Sequence, residues 1–216
     1  MHEVTLFAGP SAYALPVAML GSNDIELLPP ARRDDIRRLV DGATKPGVII
    51  LCDGQFQSVP AVSHAELCHA LDRGWRLWGV SSIGAIRAHE MRHEGMRGFG
   101  YVHSQFSRHA DFADDELCLL HMPMPPFQPI THTLVEVRFA LERTGRTLGI
   151  PLRSQAELIS RLRDLWFGDR TAERIRKMLV DQGHAPGVVD HFIAGLDRHR
   201  IKAIDLQELL TVQPWK

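Results

Sequence analysis

Short, largely apolar runs alternate with amphipathic segments over the first half of the chain. The runs Val4–Ala8, Gly47–Cys52 and Trp75–Val80 are typical of strands that are covered on both faces. The segments between them repeat their apolar residues at helical spacing. This alternation predicts a Rossmann-like α/β core with a parallel, doubly wound sheet. The predicted strands are residues 4–8, 25–28, 47–52 and 75–80, and the predicted helices are residues 33–40, 63–72 and 85–93.

The pattern changes in the second half of the chain. Residues 98–115 are rich in His and Asp and predict an irregular loop, residues 117–120 fit a further short strand, and residues 131–143 have a helical period. Short amphipathic segments follow, which predict further helices. We therefore expect an α/β core domain over residues 1–145 and a C-terminal helical subdomain over residues 150–216.

Three pairs of residues have the spacing of helix N-caps. Ser63 and Glu66 fit the S-x-x-E pattern of a capping box, in which each residue binds a backbone N–H of the other. A capping residue followed three positions later by Glu recurs in Ser154–Glu157 and in Asp205–Glu208. Each pair predicts the start of a helix.

Composition narrows the class of protein. The chain has 216 residues, of which 44% are apolar and 24% charged, the mix of a folded globular protein. Its net charge of -1 gives no global attraction to nucleic acid or to an anionic membrane, and no apolar stretch approaches the ~20 residues that span a bilayer. Three cysteines without a CxxC pair, and a start at His2-Glu3-Val4 without a basic n-region, favour a cytoplasmic protein without a signal peptide.

Polar residues follow three of the predicted strands. Ser11 follows the first, Asp53 and Gly54 follow the third, and Ser82 follows the fourth. The carboxyl ends of parallel strands lie at one edge of a sheet, which is where doubly wound folds bind their ligands. The helix after the third strand returns from that edge and brings His64 with it. We therefore expect a hydroxyl, a carboxylate and an imidazole to meet there.

Ser82 lies in a predicted strand–turn–helix and is followed by Gly84. This arrangement resembles a nucleophile elbow, in which the turn exposes the hydroxyl and the following N–H groups hold an oxyanion. The elbow pattern also requires Gly two residues before the nucleophile, where this chain has Val80. The alternative interpretation is that Ser82 only caps the helix that follows.

The other polar residues near these strand ends have structural alternatives too. Asp53 orients a base or binds substrate amide groups, or it is only the first residue of an Asp-Gly turn. His64 is a general base, or an ordinary residue in the first turn of its helix. Arg87 binds an acidic group, or it pairs with Glu90 or Asp53.

The segment His89–His93 matches the zincin pattern H-E-x-x-H. On a helix this pattern presents two imidazoles to zinc and offers Glu90 as a base for a zinc-bound water. Gly95 ends the predicted helix almost at once, and the further Gly and His of the metzincin pattern are missing. We therefore expect no metal site, and a zinc peptidase is a remote alternative.

Several longer stretches occur in an order and spacing that are specific to one protein family. The most specific is Gly79–Glu90, against the pattern G-A-x-S-M-G-A-L-R-A-A-E. The stretch Asp53–Leu67 is similar to D-G-x-F-x-x-V-P-x-V-x-H-K-E-[IL]. Together with three shorter stretches they cover residues 4 to about 140 and resemble the TfuA-like protein family. The shorter stretches are Leu6–Ser11, Leu27–Arg32, and Asp114–Glu116 with Leu120 and His121.

The resemblance implies a role beside YcaO enzymes, which activate a peptide amide with ATP during thioamidation of the peptide backbone. A TfuA-like protein is expected to bind a thiocarboxylated, ThiS-like sulfur-carrier protein and to hydrolyse it, which releases sulfide for the amide carbon. The precursor peptide is then an indirect partner, and no cofactor is expected. The site of the family is described as hydrolase-like, with a Ser–Lys pair whose serine corresponds to Ser82.

The lysine of that pair has no counterpart in the matching motifs. Ala65 stands where the family pattern usually has Lys after His, and the lysines of the chain lie elsewhere, at Lys45, Lys177, Lys202 and Lys216. Either His64 replaces the lysine as base, or hydrolysis is lost and the chain is a non-catalytic adaptor that binds YcaO, the precursor peptide and the carrier. The predicted catalytic residues are Ser82, His64 and Asp53, and the predicted substrate-binding residues are Ser11, Gly54, Gly84, Arg87 and Glu90.

Overall fold

Backbone contacts divide the chain into two units. The structure is a computed structural model that describes residues 3–13, 15–21, 24–55, 59–109 and 112–216. The first unit joins Met1–Phe112 to Lys202–Lys216, and the second is Ala113–Ile201. Residues 56–58 of the family motif and residues 110–111 of the expected loop lie outside the described residues.

The first unit is built on a five-stranded parallel sheet. Its strands are β1 (Val4–Phe7), β2 (Ile25–Leu28), β3 (Val48–Leu51), β4 (Arg76–Val80) and β5 (Arg97–Phe99). They lie in the order β2-β1-β3-β4-β5, with every neighbouring pair parallel. The strand order therefore reverses between β1 and β3, as in doubly wound folds. This confirms the predicted Rossmann-like core.

Both faces of the sheet are buried. Successive side chains of a strand point to opposite faces, so Leu6 and Ile50 belong to one apolar layer and Phe7 and Leu51 to the other. Each of the four is at most 3% exposed. Burial of such a side chain contributes about 1.5–3 kcal/mol. Burial on both sides explains why these strands are continuous apolar runs in the sequence.

Helices cover both faces of this sheet. The helices of the described residues are, in chain order, α1 (Val17–Leu20), α2 (Asp35–Gly42), α3 (His64–Asp72), α4 (Ile83–Glu90), α5 (Gly100–Arg108), α6 (Leu134–Ala140), α7 (Leu152–Arg163), α8 (Ala172–Asp181), α9 (Pro186–Gly195) and α10 (Ile201–Val212). Apolar side chains of α2, α3 and α4 pack on one face of the sheet, and those of α1 and α10 pack on the other. Within the described residues, no helix is both long enough and apolar enough to cross a membrane.

The region after α4 differs from the prediction. Residues 98–115 are not an irregular loop, because they contain most of β5 and all of α5. Residues 117–120 do not form a strand, and Asp114–Leu117 is a short 3-10 helix. The strand β5 has three residues with a central glycine, which is too short for an alternating pattern to identify.

One of the three predicted N-caps is confirmed. The Ser63 N–H donates to Glu66 Oε1 at 2.6 Å and the Glu66 N–H donates to Ser63 Oγ at 3.4 Å, a capping box at the start of α3. Ser154 lies inside α7, which follows Pro151 as its N-cap residue. That prediction was wrong, because the fixed backbone dihedral of proline already favours the extended entry to the helix.

Asp205 lies inside α10 and caps a different helix. Its Oδ1 accepts a hydrogen bond from the Tyr101 N–H and its Oδ2 from the Val102 N–H, both at 2.8 Å, at the start of α5. Gly100 has a φ of +91°, and a Cβ there would lie 2.4 Å from the carboxyl carbon of Asp205. The missing side chain of Gly100 therefore lets the carboxylate reach the amides. The prediction that Asp205 caps its own helix was wrong.

The second unit is helical. Its helices α6–α9 enclose a core that includes Leu134, Leu158, Ile175 and Phe192. The observed division at residues 112 and 201 differs from the expected boundary near residues 145–150. The reason is that α6 packs against α7 within the second unit, whereas α10 returns to the sheet of the first unit.

Candidate active site

Asp53 joins the ends of β1 and β3 at the point where the strand order reverses. Its Oδ2 accepts hydrogen bonds from the N–H groups of Gly9 (2.8 Å) and Ser11 (2.9 Å), and its Oδ1 accepts one from the Ser11 hydroxyl (2.7 Å). Asp53 is 2% exposed. Because both oxygens are occupied in this way, the carboxylate fixes the loop after β1. This is the edge of the sheet at which doubly wound folds bind their ligands.

A strained turn connects β4 to α4. Ser81 has a φ of +65°, which residues other than glycine rarely adopt, and the Ser82 N–H donates to the Val80 carbonyl at 2.7 Å. A three-residue turn of this kind is rare, and the backbone strain costs about 1–3 kcal/mol. Nucleophile elbows have the same sequence of strand, strained turn and helix. In this chain the strained residue is Ser81, one position before the predicted nucleophile.

The hydroxyls of Ser81 and Ser82 have different environments. Ser81 is fully buried, and its Oγ donates to the Lys202 carbonyl at 2.6 Å. Ser82 is the N-cap residue of α4, but its side chain makes no capping hydrogen bond. Ser82 is 5% exposed, and within the described part of the chain its hydroxyl has no hydrogen-bond partner. The alternative interpretation of Ser82 as a helix cap therefore has no support from its contacts.

Gly84 brings α4 into close contact with β3. A Cβ at Gly84 would lie 1.7 Å from the carbonyl oxygen of Leu51, so a larger residue does not fit. The Gly84 N–H donates to the Cys52 carbonyl at 3.2 Å. Because this N–H is occupied, the contacts of Gly84 favour a packing role over the predicted role in substrate binding.

Lys202 belongs to the same buried cluster as Cys52, Ser81 and Asp53. Burial and the charge of Asp53 raise the pKa of the Cys52 thiol well above its usual value, against the opposing effects of a hydrogen bond with Ser81, the charge of Lys202 and a hydrogen bond with Ser11. Such a thiol stays protonated and unreactive. The charge of Lys202, a residue that is 1% exposed, thus acts on the Cys52 thiol directly after β3.

His64, Arg87 and Glu90 form a separate cluster. His64 Nε2 lies 2.9 Å from Glu90 Oε2, and Arg87 Nη1 donates to the same oxygen at 2.6 Å. Burial raises the pKa of Glu90, but the hydrogen bonds from Arg87 and His64 outweigh it, so the net pKa is lowered. Glu90 is the last residue of α4, a helix of 8 residues that spans about 12 Å, whereas Ser82 precedes its first residue. The structure therefore joins His64 to Glu90, and no hydrogen bond between His64 and Ser82 occurs in the described residues.

The H-E-x-x-H segment does not continue as a helix. The helix α4 ends at Glu90, so His93 lies beyond it. The ring of His89 stacks on Phe106, with centroids 5.1 Å apart, and meets His103 edge-on at 6.4 Å. Among the described residues, no group of three or more His, Cys, Asp or Glu side chains is arranged to hold a metal ion.

These features define a class: a doubly wound α/β protein with polar side chains where the strand order reverses, and a serine turn like that of α/β hydrolases. The model of the TfuA-like protein family matches residues 53–171, which is more than half of the chain, so the chain belongs to the TfuA-like family. The family is associated with YcaO-dependent systems, and membership implies an accessory role in thioamidation. None of the curated proteins matches the chain.

Sequence reasoning missed two members of the buried cluster, Ser81 and Lys202. Lys202 lies beyond residue 171, where the family match ends, and it therefore has no counterpart in a motif. The one signal in the sequence is the position of Lys202 in the apolar run Ile201-Lys202-Ala203-Ile204. A lysine is rarely buried among apolar neighbours unless it has a partner. Ser81 was not among the predicted site residues, because the sequence does not show which of the two adjacent serines takes the strained position of the turn.

Proposed function

We propose that this protein hydrolyses the thiocarboxylate of a ThiS-like sulfur-carrier protein and thereby supplies sulfide to a YcaO enzyme. The family supports the pathway, and one structural observation supports the chemistry. That observation is the hydroxyl of Ser82, which lies in an elbow-like turn and has no hydrogen-bond partner in the described residues. Because no protein group of the described residues holds this hydroxyl, it is available to attack a substrate carbonyl.

The proposed reaction has two steps. Ser82 Oγ attacks the carbonyl carbon of the thiocarboxylate, the carbon–sulfur bond breaks, and the serine proton passes through a base to the sulfur, which leaves as HS⁻. The product is an ester between Ser82 and the carrier. Water then attacks this ester, restores the hydroxyl and releases the carrier as a carboxylate with one proton. A thiolate is a better leaving group than an amine, so a hydroxyl nucleophile with a base is sufficient.

We assign the role of base to Lys202 rather than to His64. The Lys202 carbonyl binds Ser81, the neighbour of the nucleophile, and its charge acts on Cys52 at the end of β3. Ser–Lys pairs occur among hydrolases, and buried lysines serve as general bases. In contrast, His64 is bound to Glu90 at the other end of α4. Lys202 would thus supply the amine that the family pattern places at Ala65.

Asp53 and Ser11 are assigned positioning roles. Both oxygens of the Asp53 carboxylate accept hydrogen bonds from the loop after β1. Asp53 therefore supports the site by holding this loop, without contact with the reacting atoms. Loss of the carboxylate would free the loop after β1, and buried N–H groups left without an acceptor cost about 1–3 kcal/mol each.

The test is sulfide release from a thiocarboxylated carrier protein. Ser82→Ala should lower the rate by at least ~10³-fold while carrier binding persists, because the nucleophile is lost. Ser107→Ala is the matched control, since Ser107 is exposed on α5, and it should behave like wild type. Equal sulfide release by wild type and by folded Ser82→Ala would refute the catalytic proposal.

A non-catalytic adaptor is the second candidate function, and one observation favours it. Ser82 is only 5% exposed, which restricts access to its hydroxyl. The adaptor would bind YcaO, the carrier and, indirectly, the precursor peptide without hydrolysis. It predicts that purified wild-type protein binds the carrier, releases no sulfide, and is unaffected by Ser82→Ala.

A further inference from the structure

The backbone around Ser82 contains an amide whose N–H is not used. Its neighbours are occupied by backbone carbonyls. The Ser82 N–H donates to the carbonyl of Val80, the Gly84 N–H to that of Cys52, and the Ala85 N–H to that of Ser82. Between them stands Ile83, the first residue of α4, and its N–H has no acceptor among the described residues. The positive end of the helix dipole adds to this donor.

A second unused donor belongs to Gly54, which packs against the side chain of Ile83. The amides on both sides of Gly54 are bound, since the Asp53 N–H donates to the Phe7 carbonyl at 3.1 Å and the Gln55 N–H donates to the Ala31 carbonyl at 3.0 Å. For the Gly54 N–H, the described residues provide no acceptor. A Cβ on Gly54 would lie 2.8 Å from Ile83 Cγ2, so the two residues are in van der Waals contact.

We infer that the N–H groups of Ile83 and Gly54 form the oxyanion hole of this site. One donor belongs to the residue after the nucleophile and the other comes from the loop of the neighbouring strand, the arrangement that stabilises a tetrahedral intermediate in acyl transfer. When Ser82 Oγ forms its bond to the carbonyl carbon, the π electrons of the carbonyl move onto the oxygen. The two N–H groups donate hydrogen bonds to that oxyanion until the leaving group departs.

This inference rests on the proposed nucleophile and corrects the predicted site. The sequence pattern predicted that Gly54 and Gly84 bind substrate, but the Gly84 N–H already donates to the Cys52 carbonyl. Ile83 takes the place of Gly84 as a substrate-binding residue. Gly54 remains a substrate-binding residue, with its N–H as a donor to the oxyanion. The role belongs to the backbone, so the side chain of Ile83 is not involved.

Proline substitution removes each donor. Ile83→Pro is placed at the first position of a helix, where proline is well tolerated, and Ile83→Val keeps the N–H with a similar side chain. Gly54→Pro and Gly54→Ala form the second pair, in which both variants add a Cβ and only one removes the N–H. The probe is a fluorophosphonate, whose phosphorus is attacked by a serine Oγ with loss of fluoride and whose phosphoryl oxygen occupies the oxyanion hole.

The rate of labelling at Ser82, located by mass spectrometry, distinguishes the outcomes. Each proline variant should be labelled roughly 10²–10³-fold more slowly than its matched control, the usual cost of one oxyanion donor. Equal rates within both pairs would refute the oxyanion hole while leaving Ser82 as nucleophile. A wild-type protein that is not labelled at Ser82 would remove the nucleophile and the oxyanion hole together.

Folding of the variants is checked by thermal unfolding. If Ile83→Pro does not fold, Ile83 is replaced by its α-hydroxy acid analogue, which exchanges the N–H for an ester oxygen and adds no atoms. The same loss of labelling rate is then expected. An ester variant that reacts as fast as wild type would contradict the inference.

Discussion

The stability of the first unit should depend on the protonation of Asp205. Burial raises the pKa of Asp205 from 3.8 to about 7, even though the N–H groups of Val102 and Tyr101 favour the charged form. The folded state therefore binds a proton more tightly than the unfolded state. The resulting stabilisation is fully present below pH 3.8 and is lost as the pH rises through about 7. The difference between these two pKa values corresponds to at most about 4 kcal/mol of unfolding free energy.

Asp205→Asn tests this dependence because its side chain cannot ionise. Urea unfolding at about pH 5 and about pH 8 gives the free energy of unfolding from midpoint and slope. The wild-type value should fall between these pH values by more than that of Asp205→Asn. Asp72→Asn, which removes an exposed carboxylate at the end of α3, should keep the wild-type dependence. Parallel pH profiles for wild type and Asp205→Asn would refute the argument.

Two further predictions concern packing and the base. Gly84→Ala should lower the melting temperature strongly, because its methyl group would overlap a carbonyl oxygen of β3. Gly187→Ala has open space at its Cβ, so this control should be neutral or stabilise the protein by about 0.4–1 kcal/mol. Similar melting temperatures for the two variants would contradict the packing role of Gly84. Lys202→Met should abolish sulfide release while His64→Ala and the exposed Lys177→Met retain it. A dead His64→Ala with an active Lys202→Met would return the role of base to His64.

Local patterns predicted the contacts whose partners are close in sequence. Ser63 and Glu66 are three residues apart, and the capping box they form depends on nothing outside that turn. The meeting of Ser11 and Asp53 was predictable from the general rule that parallel strands end at one edge. The local sequence was sufficient for the first contact, and the fold class was sufficient for the second.

Other contacts depend on packing that no local pattern contains. Asp205 has the spacing of an N-cap, but its partners Tyr101 and Val102 lie more than one hundred residues earlier in the chain. Lys202 contacts Ser81 only because α10 packs on the sheet. His64 was placed near Ser82 because the topology brings both to one side, whereas the contact with Glu90 holds its ring at the far end of α4.

The return of α10 to the sheet has a consequence for biosynthesis. Residues 3–109 contain the strands and the Ser82 turn, but the carbonyl that binds Ser81 belongs to Lys202, which the ribosome adds after the whole of the second unit. Domains fold as they emerge, at about 5–20 residues per second. A nascent chain would therefore carry Ser82 for several seconds in an unfinished site, with one apolar face of the sheet uncovered. The proposed reactivity of Ser82 would begin only when α10 docks, and docking of that helix would then be a final step in maturation.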